Sequence, residues 1–369
     1  MSSNLNKQSM EKQRPFRIVF LYSTVVGHVV GVLKALAQSN HETEIDVVFW
    51  DRKHANSSRY IIPDDISITT VFHARSSLSN AGLLELLRSR NPDIVYVSGW
   101  MDKGYLWALE RFRHEAGRAQ VVCGIDDQWK GSLRQYLGRI YFRLFYRRLF
   151  DFMWVSGKPQ YHYAQRFGYA HQNIISNLLS ADTSVFNRKA DVTRRFVFVG
   201  RFAPVKGLDM LLKAYESLPE PTRAEWPLIL IGDGELRKEV EQRASSQIIV
   251  KPFLQPAALM EELMQGGIAC VPSYHEPWGV VIHEMALLGY PLVLSSVCGA
   301  ASEYLISGYN GYLFRTNDVE SLRATLLKIT TLSIEQLATF SNNSHILGQR
   351  ITPEQAAYSL LSVLPLSSL

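Results

Sequence analysis

Residues 267–295 read GIACVPSYHEPWGVVIHEMALLGYPLVLS. The run GIACV, ended by Pro and Ser, has the length and apolarity of a buried strand. WGVVIHEMALLG carries helical periodicity, and YPLVLS is apolar again. Strand, loop, helix and strand in so short a span make a parallel crossover unit, the building block of α/β folds.

The same alternation extends outward. Upstream, RRFVFVG (194–200), PLILIGD (227–233) and QIIVKPF (247–253) are strand candidates, separated by helical patterns in LDMLLKAYESL, ELRKEVEQRA and ALMEELMQ. A separate series precedes them, with IVFLY, IDVVFW, SITTVF, DIVYVSG, AQVVCGI and DFMWVSG alternating with GVLKALAQ, AGLLELLRSR and LWALERFRHEAG. Two series predict two Rossmann-like parallel-sheet domains with a cleft between them, and 369 residues suffice for two cores. The expected division is a polar tail at 1–14, a first domain at 15–176, a linker at 177–192, a second domain at 193–345 and a C-terminal helix within 346–369. The domain on which that helix docks is left open.

Composition is that of a folded globular chain, 47% hydrophobic and 20% charged. Cys123, Cys270 and Cys298 have no paired spacing, which suits buried thiols and a reducing cytoplasm. Residues 1–175 hold 23 Lys and Arg against 15 Asp and Glu, whereas residues 176–369 hold 16 against 19. The first half therefore suits an anionic partner or is a basic solvated surface. The apolar stretch after Arg17 is interrupted by Ser23, Thr24 and His28, so it reads as strand, loop and helix, not as a signal peptide. No uninterrupted apolar run reaches the roughly 18 residues of a membrane span.

Ligands of open parallel sheets gather beyond the carboxyl ends of the strands. There, Pro277 suits the first position of a helix starting near Trp278, and free amides at Trp278, Gly279, Val280 and Val281 would make an anion site. Eight helical residues put Glu284 up to about 12 Å from Glu276. Paired glycosidase carboxylates stand closer, at about 5 to 9.5 Å. Two glutamates reading different parts of a nucleotide-sugar, with phosphates between them, fit this spacing; a cap glutamate and a solvated helix glutamate fit it as well. In VFVGRFAPVKGLDML, Gly200 ends a strand, and Arg201 and Lys206 could neutralise a diphosphate or stand solvated. Gly232-Asp233-Gly234 is a weaker signal, because tight turns often need glycines. In STVVGHVVG, Gly27 permits close backbone approach, and His28 is a ligand contact or a packed residue.

Four segments, GRFAPVKGLDMLLKAY, IGDGELRKEVE, VPSYHEPWGVVIHEMALLGYPLV and SEYLISGYNGYLF, occur in that order over residues 194–315. This region resembles the nucleotide-binding domain of the retaining GT-B glycosyltransferases of family 4, the glycosyl transferases group 1 family. NLLSADTSVF resembles a divergent form of that family's interdomain segment. The resemblance implies a nucleotide-diphosphate sugar as donor, a hydroxyl acceptor, retention of configuration, and no cofactor or metal. The chain agrees in lacking an Asp-x-Asp metal motif. By the same resemblance Glu276 contacts the donor sugar, Glu284 the ribose, and Arg201 and Lys206 the diphosphate. The amides of Trp278, Gly279 and Val280 complete the cradle, and Gly27 closes on it.

The first domain departs from the pattern. Where many members carry a histidine, this chain has Ile125-Asp126-Asp127-Gln128-Trp129. Asp126 or Asp127 takes over that role, caps a helix, or binds acceptor. Trp100, Asp102 and Lys103, in SGWMDKGY, are expected at the cleft, Trp100 against a sugar ring or as an interdomain wedge.

Residues 133–150, LRQYLGRIYFRLFYRRLF, combine apolar positions at helical spacing with Arg139, Arg143 and Arg147 four apart. A basic, aromatic amphipathic helix suits an anionic membrane surface and a lipid-linked or glycan acceptor; an ordinary domain helix with solvated arginines is the alternative. No nucleic-acid-binding signature accompanies the charge. Two rival readings remain, an inactive nucleotide-binding partner subunit on the same fold and a sugar-nucleotide epimerase.

Overall fold

Ile18, Val19, Phe20 and Leu21 are all buried, as a strand apolar on both faces must be. They belong to β1 (Phe16–Tyr22) in a computed structural model that describes residues 14–39, 42–51, 70–115, 118–186 and 188–365. Six further parallel strands join it: β2 (Thr43–Phe49), β3 (Thr70–Ala74), β4 (Ile94–Val97), β5 (Gln120–Ile125), β6 (Phe152–Val155) and β7 (Ile174–Ile175). Their order is β3-β2-β1-β4-β5-β6-β7. The crossovers run through α1 (Gly27–Ala37), α2 (Asn80–Arg90), α3 (Lys103–His114), α4 (Leu133–Phe145) and α5 (Lys158–Arg166). The strand expected at SITTVF starts at Thr70, its first three residues lying outside the described ones, as does most of the N-terminal tail.

The second sheet repeats the plan. β8 (Phe196–Val199), β9 (Leu228–Ile231), β10 (Ile248–Lys251), β11 (Ile268–Val271), β12 (Leu292–Ser295) and β13 (Gly311–Phe314) run parallel in the order β10-β9-β8-β11-β12-β13. Its helices are α6 (Leu208–Glu216), α7 (Glu220–Glu225), α8 (Arg237–Glu241), α9 (Pro256–Leu263), α10 (Val280–Leu287), α11 (Ala301–Tyr304), α12 (Val319–Thr330) and α13 (Ile334–Gly348). The strand order reverses between β1 and β4 and again between β8 and β11, and each reversal leaves a crevice at the carboxyl ends.

Two details differ from expectation or resolve it. Helix α10 starts at Val280, two residues beyond Trp278, because Gly279 adopts the left-handed φ of 93° and the carbonyls of Glu276 and Trp278 accept from Gly299 and Ala300. Pro277 thus belongs to the loop. The last helix, α14 (Pro353–Leu361), capped by Thr352 and Gln355, leaves the second domain and packs on α1, where a Cβ on Gly31 would lie 3.4 Å from Pro353 Cγ. The chain therefore crosses between the domains twice, through the segment after Ser176 and through Gln349–Thr352.

A buried histidine holds the first crossing. Ala181 N donates to His283 Nδ1 at 2.9 Å, so Nε2 carries the ring proton and donates to Gly348 O at 2.8 Å. Burial pushes the His283 pKa down to about 4, against the opposing Gly348 bond, and the neutral ring stacks on Tyr304. Among the described residues no helix is long and apolar enough to cross a membrane.

Candidate active site

The two crevices face each other across a cavity of about 580 Å³. From the second domain it is lined by Gly200, Arg201, Lys206 and residues 276–281, and from the first by residues after β1, β4 and β5, including Tyr22, Ser98 and Asp126.

The second-domain wall handles charge. Lys206 Nζ donates to Glu276 Oε2 at 2.6 Å, and Ser273 Oγ donates to the same oxygen at 2.9 Å. Glu276 is 6% exposed, so this carboxylate is fixed before any ligand arrives. A Cβ on Gly279 would lie 2.9 Å from Glu276 Cγ, and this left-handed glycine brings the start of α10, at Val280 and Val281, to the cavity lining beside the carboxylate. Arg201 is exposed and forms no ion pair among the described residues. Trp278 is buried against Gly157 of the first domain and serves as a domain contact as well as a cavity wall.

Glu284 is placed differently from its neighbours. It stands one turn along α10, behind Val280 and Val281, and is not among the residues lining the cavity. Burial pushes its carboxyl pKa up to about 7, with Asp182 of the linker adding to the shift. Gly232 is also outside the lining: its missing side chain makes room for the Gly200 carbonyl, so it serves the packing of two loops. Gly27 opens α1, between Val26 and His28, which do line the cavity. His28 is desolvated there, its pKa pushed down to about 4.

The first-domain wall is aromatic with one carboxylate. Tyr96 is 1% exposed and packs on Tyr22, and a Cβ on Gly124 would collide with its hydroxyl. Both phenol pKa values are raised by burial. Asp126 opens onto the cavity, yet the low-dielectric walls around its carboxyl raise its pKa, with Asp127 a lesser cause. Asp126 also lines a second cavity of about 460 Å³ that continues into the first domain past Trp100, Asp127, Lys130 and Arg134. Trp100 is wedged edge-on between Phe142 and Phe167 while keeping one side on this cavity. Asp102 lies elsewhere: it caps α3 through Gly104 N and Tyr105 N and accepts from Trp50 Nε1 and Arg75 Nε. Expected at the acceptor side, Asp102 is not among the residues lining either cavity and acts as a helix cap, Asp before a helix being a favoured N-cap residue.

Tyr22, Tyr96 and Ser98 were not singled out in the sequence. They sit at or just past the ends of β1 and β4, the pair flanking the reversal in strand order, and that position was the available signal.

The match to known families falls on the charged wall. Residues 182–345 match the model of the family described as glycosyl transferases group 1. That match makes the second domain similar to the group 1 glycosyltransferases. Over 329 residues the chain is 23% identical to an uncharacterized glycosyltransferase of Methanocaldococcus jannaschii, covering 84% of this chain and 86% of that protein. It is 24% identical over 281 residues to the glycogen synthase of Mycobacterium tuberculosis, covering 72% of this chain and 66% of that one. Among solved structures, HepE of Anabaena in complex with UDP and glucose superposes with a TM-score of 0.70 at 17% identity, covering 96% of this chain and all of HepE. WaaG, a glycosyltransferase involved in lipopolysaccharide biosynthesis, superposes at 0.62 and 16% identity, covering 93% of this chain and 98% of WaaG. These likenesses establish the glycosyltransferase fold of two facing Rossmann-like domains for the whole chain.

Helix α4 borders the second cavity through Arg134, Gln135 and Gly138, and most of its apolar side chains turn outward. Leu133, Tyr136, Leu137, Ile140, Tyr141, Leu144 and Phe145 are exposed, and Phe142 alone in the helix is buried. The arginine stripe is less uniform than its spacing implies. Arg147 lies over the Tyr169 ring and Arg139 Nε is enclosed, whereas Arg134, Arg143 and Arg148 are exposed.

Proposed function

We propose that the protein transfers a sugar from a nucleotide-diphosphate donor to a hydroxyl acceptor with retention of configuration. The observation that carries the reading is the cavity that Arg201, the fixed Lys206–Glu276 pair and the first residues of α10 share with Asp126. Arg201, Lys206 and the amides would hold the diphosphate and stabilise the charge growing on it as the C1–oxygen bond breaks. Glu276 would accept from the donor sugar's hydroxyls. Glu284 would read the ribose after a modest shift of α10 side chains toward the cavity. The acceptor oxygen would bond to C1 from the same face, its proton passing to the leaving phosphate, with Asp126 polarising that hydroxyl from the first domain. Solved relatives of this fold hold UDP with glucose or UDP-glucose, which supports a nucleotide-sugar donor.

The acceptor would enter along the second cavity, between Trp100 and Asp127. The exposed apolar face of α4, with Arg134, Arg143 and Arg148 beside it, supports work on a lipid-linked or glycan acceptor at an anionic membrane surface. Three buried free thiols suit the cytoplasmic side. Catalysis would need no metal, the diphosphate being neutralised by Arg201 and Lys206.

Thermal unfolding of the purified protein with UDP, GDP, ADP and their sugar conjugates tests the donor half. One diphosphate series should raise the melting temperature in a concentration-dependent way, and Glu284→Ala should abolish the shift. A flat response to every nucleotide would displace this reading in favour of an inactive partner subunit.

A further inference from the structure

The loop after β5 reaches across the cleft. Gln128 Nε2 donates to Pro277 O at 2.7 Å and lies 3.2 Å from both Glu276 O and Val297 O. Gln160, fully buried in the first turn of α5, donates through Nε2 to the same Pro277 carbonyl at 2.7 Å and to Asp126 O at 3.0 Å. The two lone pairs of the Pro277 oxygen take both amides. The second domain leaves room for this grip: a Cβ on Gly299 would collide with Pro277 O and lie 2.6 Å from Gln128 Nε2. The first domain braces it from behind, since Gln135 Nε2 donates to Gln128 O and Gln135 Oε1 accepts from Lys130 N, each at 2.7 Å.

We propose that Gln128 and Gln160 form a clasp that closes the domains and sets the spacing between Asp126 and Glu276; the role in transfer rests on the reading above. Each carboxylate adjoins a gripped carbonyl: Gln160 holds Asp126's own, and Pro277 follows Glu276 directly. Both glutamines are positioning residues, acting through backbone and not on substrate. Near this interface Ser156 Oγ, Gln160 Oε1, Trp278 Nε1 and Tyr304 OH are buried and have no hydrogen-bond partner among the described residues. Closure thus pairs some polar groups beside others that find no such partner, which keeps the open state within reach for donor entry and product release.

Gln128→Glu keeps the shape and replaces the donating amide by oxygens that repel the three carbonyls; Gln128→Ala removes the grip without repulsion. Small-angle X-ray scattering should give a larger radius of gyration for both variants than for the parent, with Glu the larger. With UDP-glucose and water as substrates, giving UDP and glucose, kcat should fall at least about tenfold while UDP affinity stays within about twofold, a split a folding defect would not produce. Equal radii for parent and both variants would overturn the clasp. Loss of UDP affinity in step with kcat would overturn its positioning role. A parent protein that binds none of UDP, GDP and ADP would count against the glycosyl-transfer reading alone, and the scattering comparison would still decide the clasp.

Discussion

The wall after β8 and β11 and the wall after β1, β4 and β5 occupy equivalent places in two sheets of the same strand order, yet they are made of different chemistry. The first is a preset electrostatic device: a cation, an ion pair whose acid is only a few per cent exposed, and the start of a helix. The second is a lining of tyrosines and tryptophan onto which the carboxylates of Asp126 and Asp127 open. A diphosphate is common to every nucleotide-sugar, so the groups that hold it can be fixed in advance. An acceptor varies, and its wall is built from shape.

The comparison breaks first at Lys206. Lys206→Ala should lower donor turnover by about 10²- to 10³-fold, the scale of losing one preorganised donor to developing charge. It should also lower the melting temperature, because the buried Glu276 carboxylate keeps only Ser273. Arg201→Ala separates the two effects: with no described ion pair to lose, it should cost turnover and leave unfolding unchanged. Steady-state kinetics beside calorimetry reads both, and unaltered turnover in either variant would remove the charge-handling role from that wall.

A smaller effect is expected at Glu284. Its folded pKa of about 7 lies above the ordinary value of 4.5, so the folded state binds the extra proton between those values. Stability from this group is therefore present at low pH and lost as pH rises toward and through 7, by up to about 3 kcal/mol. Urea unfolding of the unliganded protein from pH 5 to 8 should show Glu284→Gln gaining on the parent across that window. Parallel curves would mean the carboxylate is hydrated.

The smallest effect concerns the outer side of the first domain. Binding to vesicles of anionic phospholipid should weaken with added salt and with Arg134, Arg143 and Arg148 changed to Glu, by about 1 kcal/mol for each arginine. No binding at low salt would make α4 an ordinary exposed helix.

The charged wall was legible because its parts sit within single loops, where Arg201 and Lys206 or Glu276 and Gly279 are a few residues apart. The aromatic wall was legible only in part: Trp100, Asp126 and Asp127 stood out, whereas Tyr22 and Tyr96 come from two strand ends, and along the chain a tyrosine closing an apolar run looks like any core residue. The clasp was less legible still: Gln128 meets Pro277 from 149 residues away, and a glutamine in a polar loop carries no one-dimensional mark. Pro277 misled in a specific way, since its fixed φ suits a turn as well as a first helical residue, and the positive φ of Gly279 decides between them. The alternation of strands and helices was readable throughout because both sheets are buried on both faces.

The return of α14 to the first domain bears on how the halves can move. A body tied at one pivot can tumble about it in any direction, whereas a body tied at two can only swing about the line joining them. With the chain crossing after Ser176 and again at Gln349–Thr352, the domains are hung like a door, and each swing brings the same loops to the same jamb.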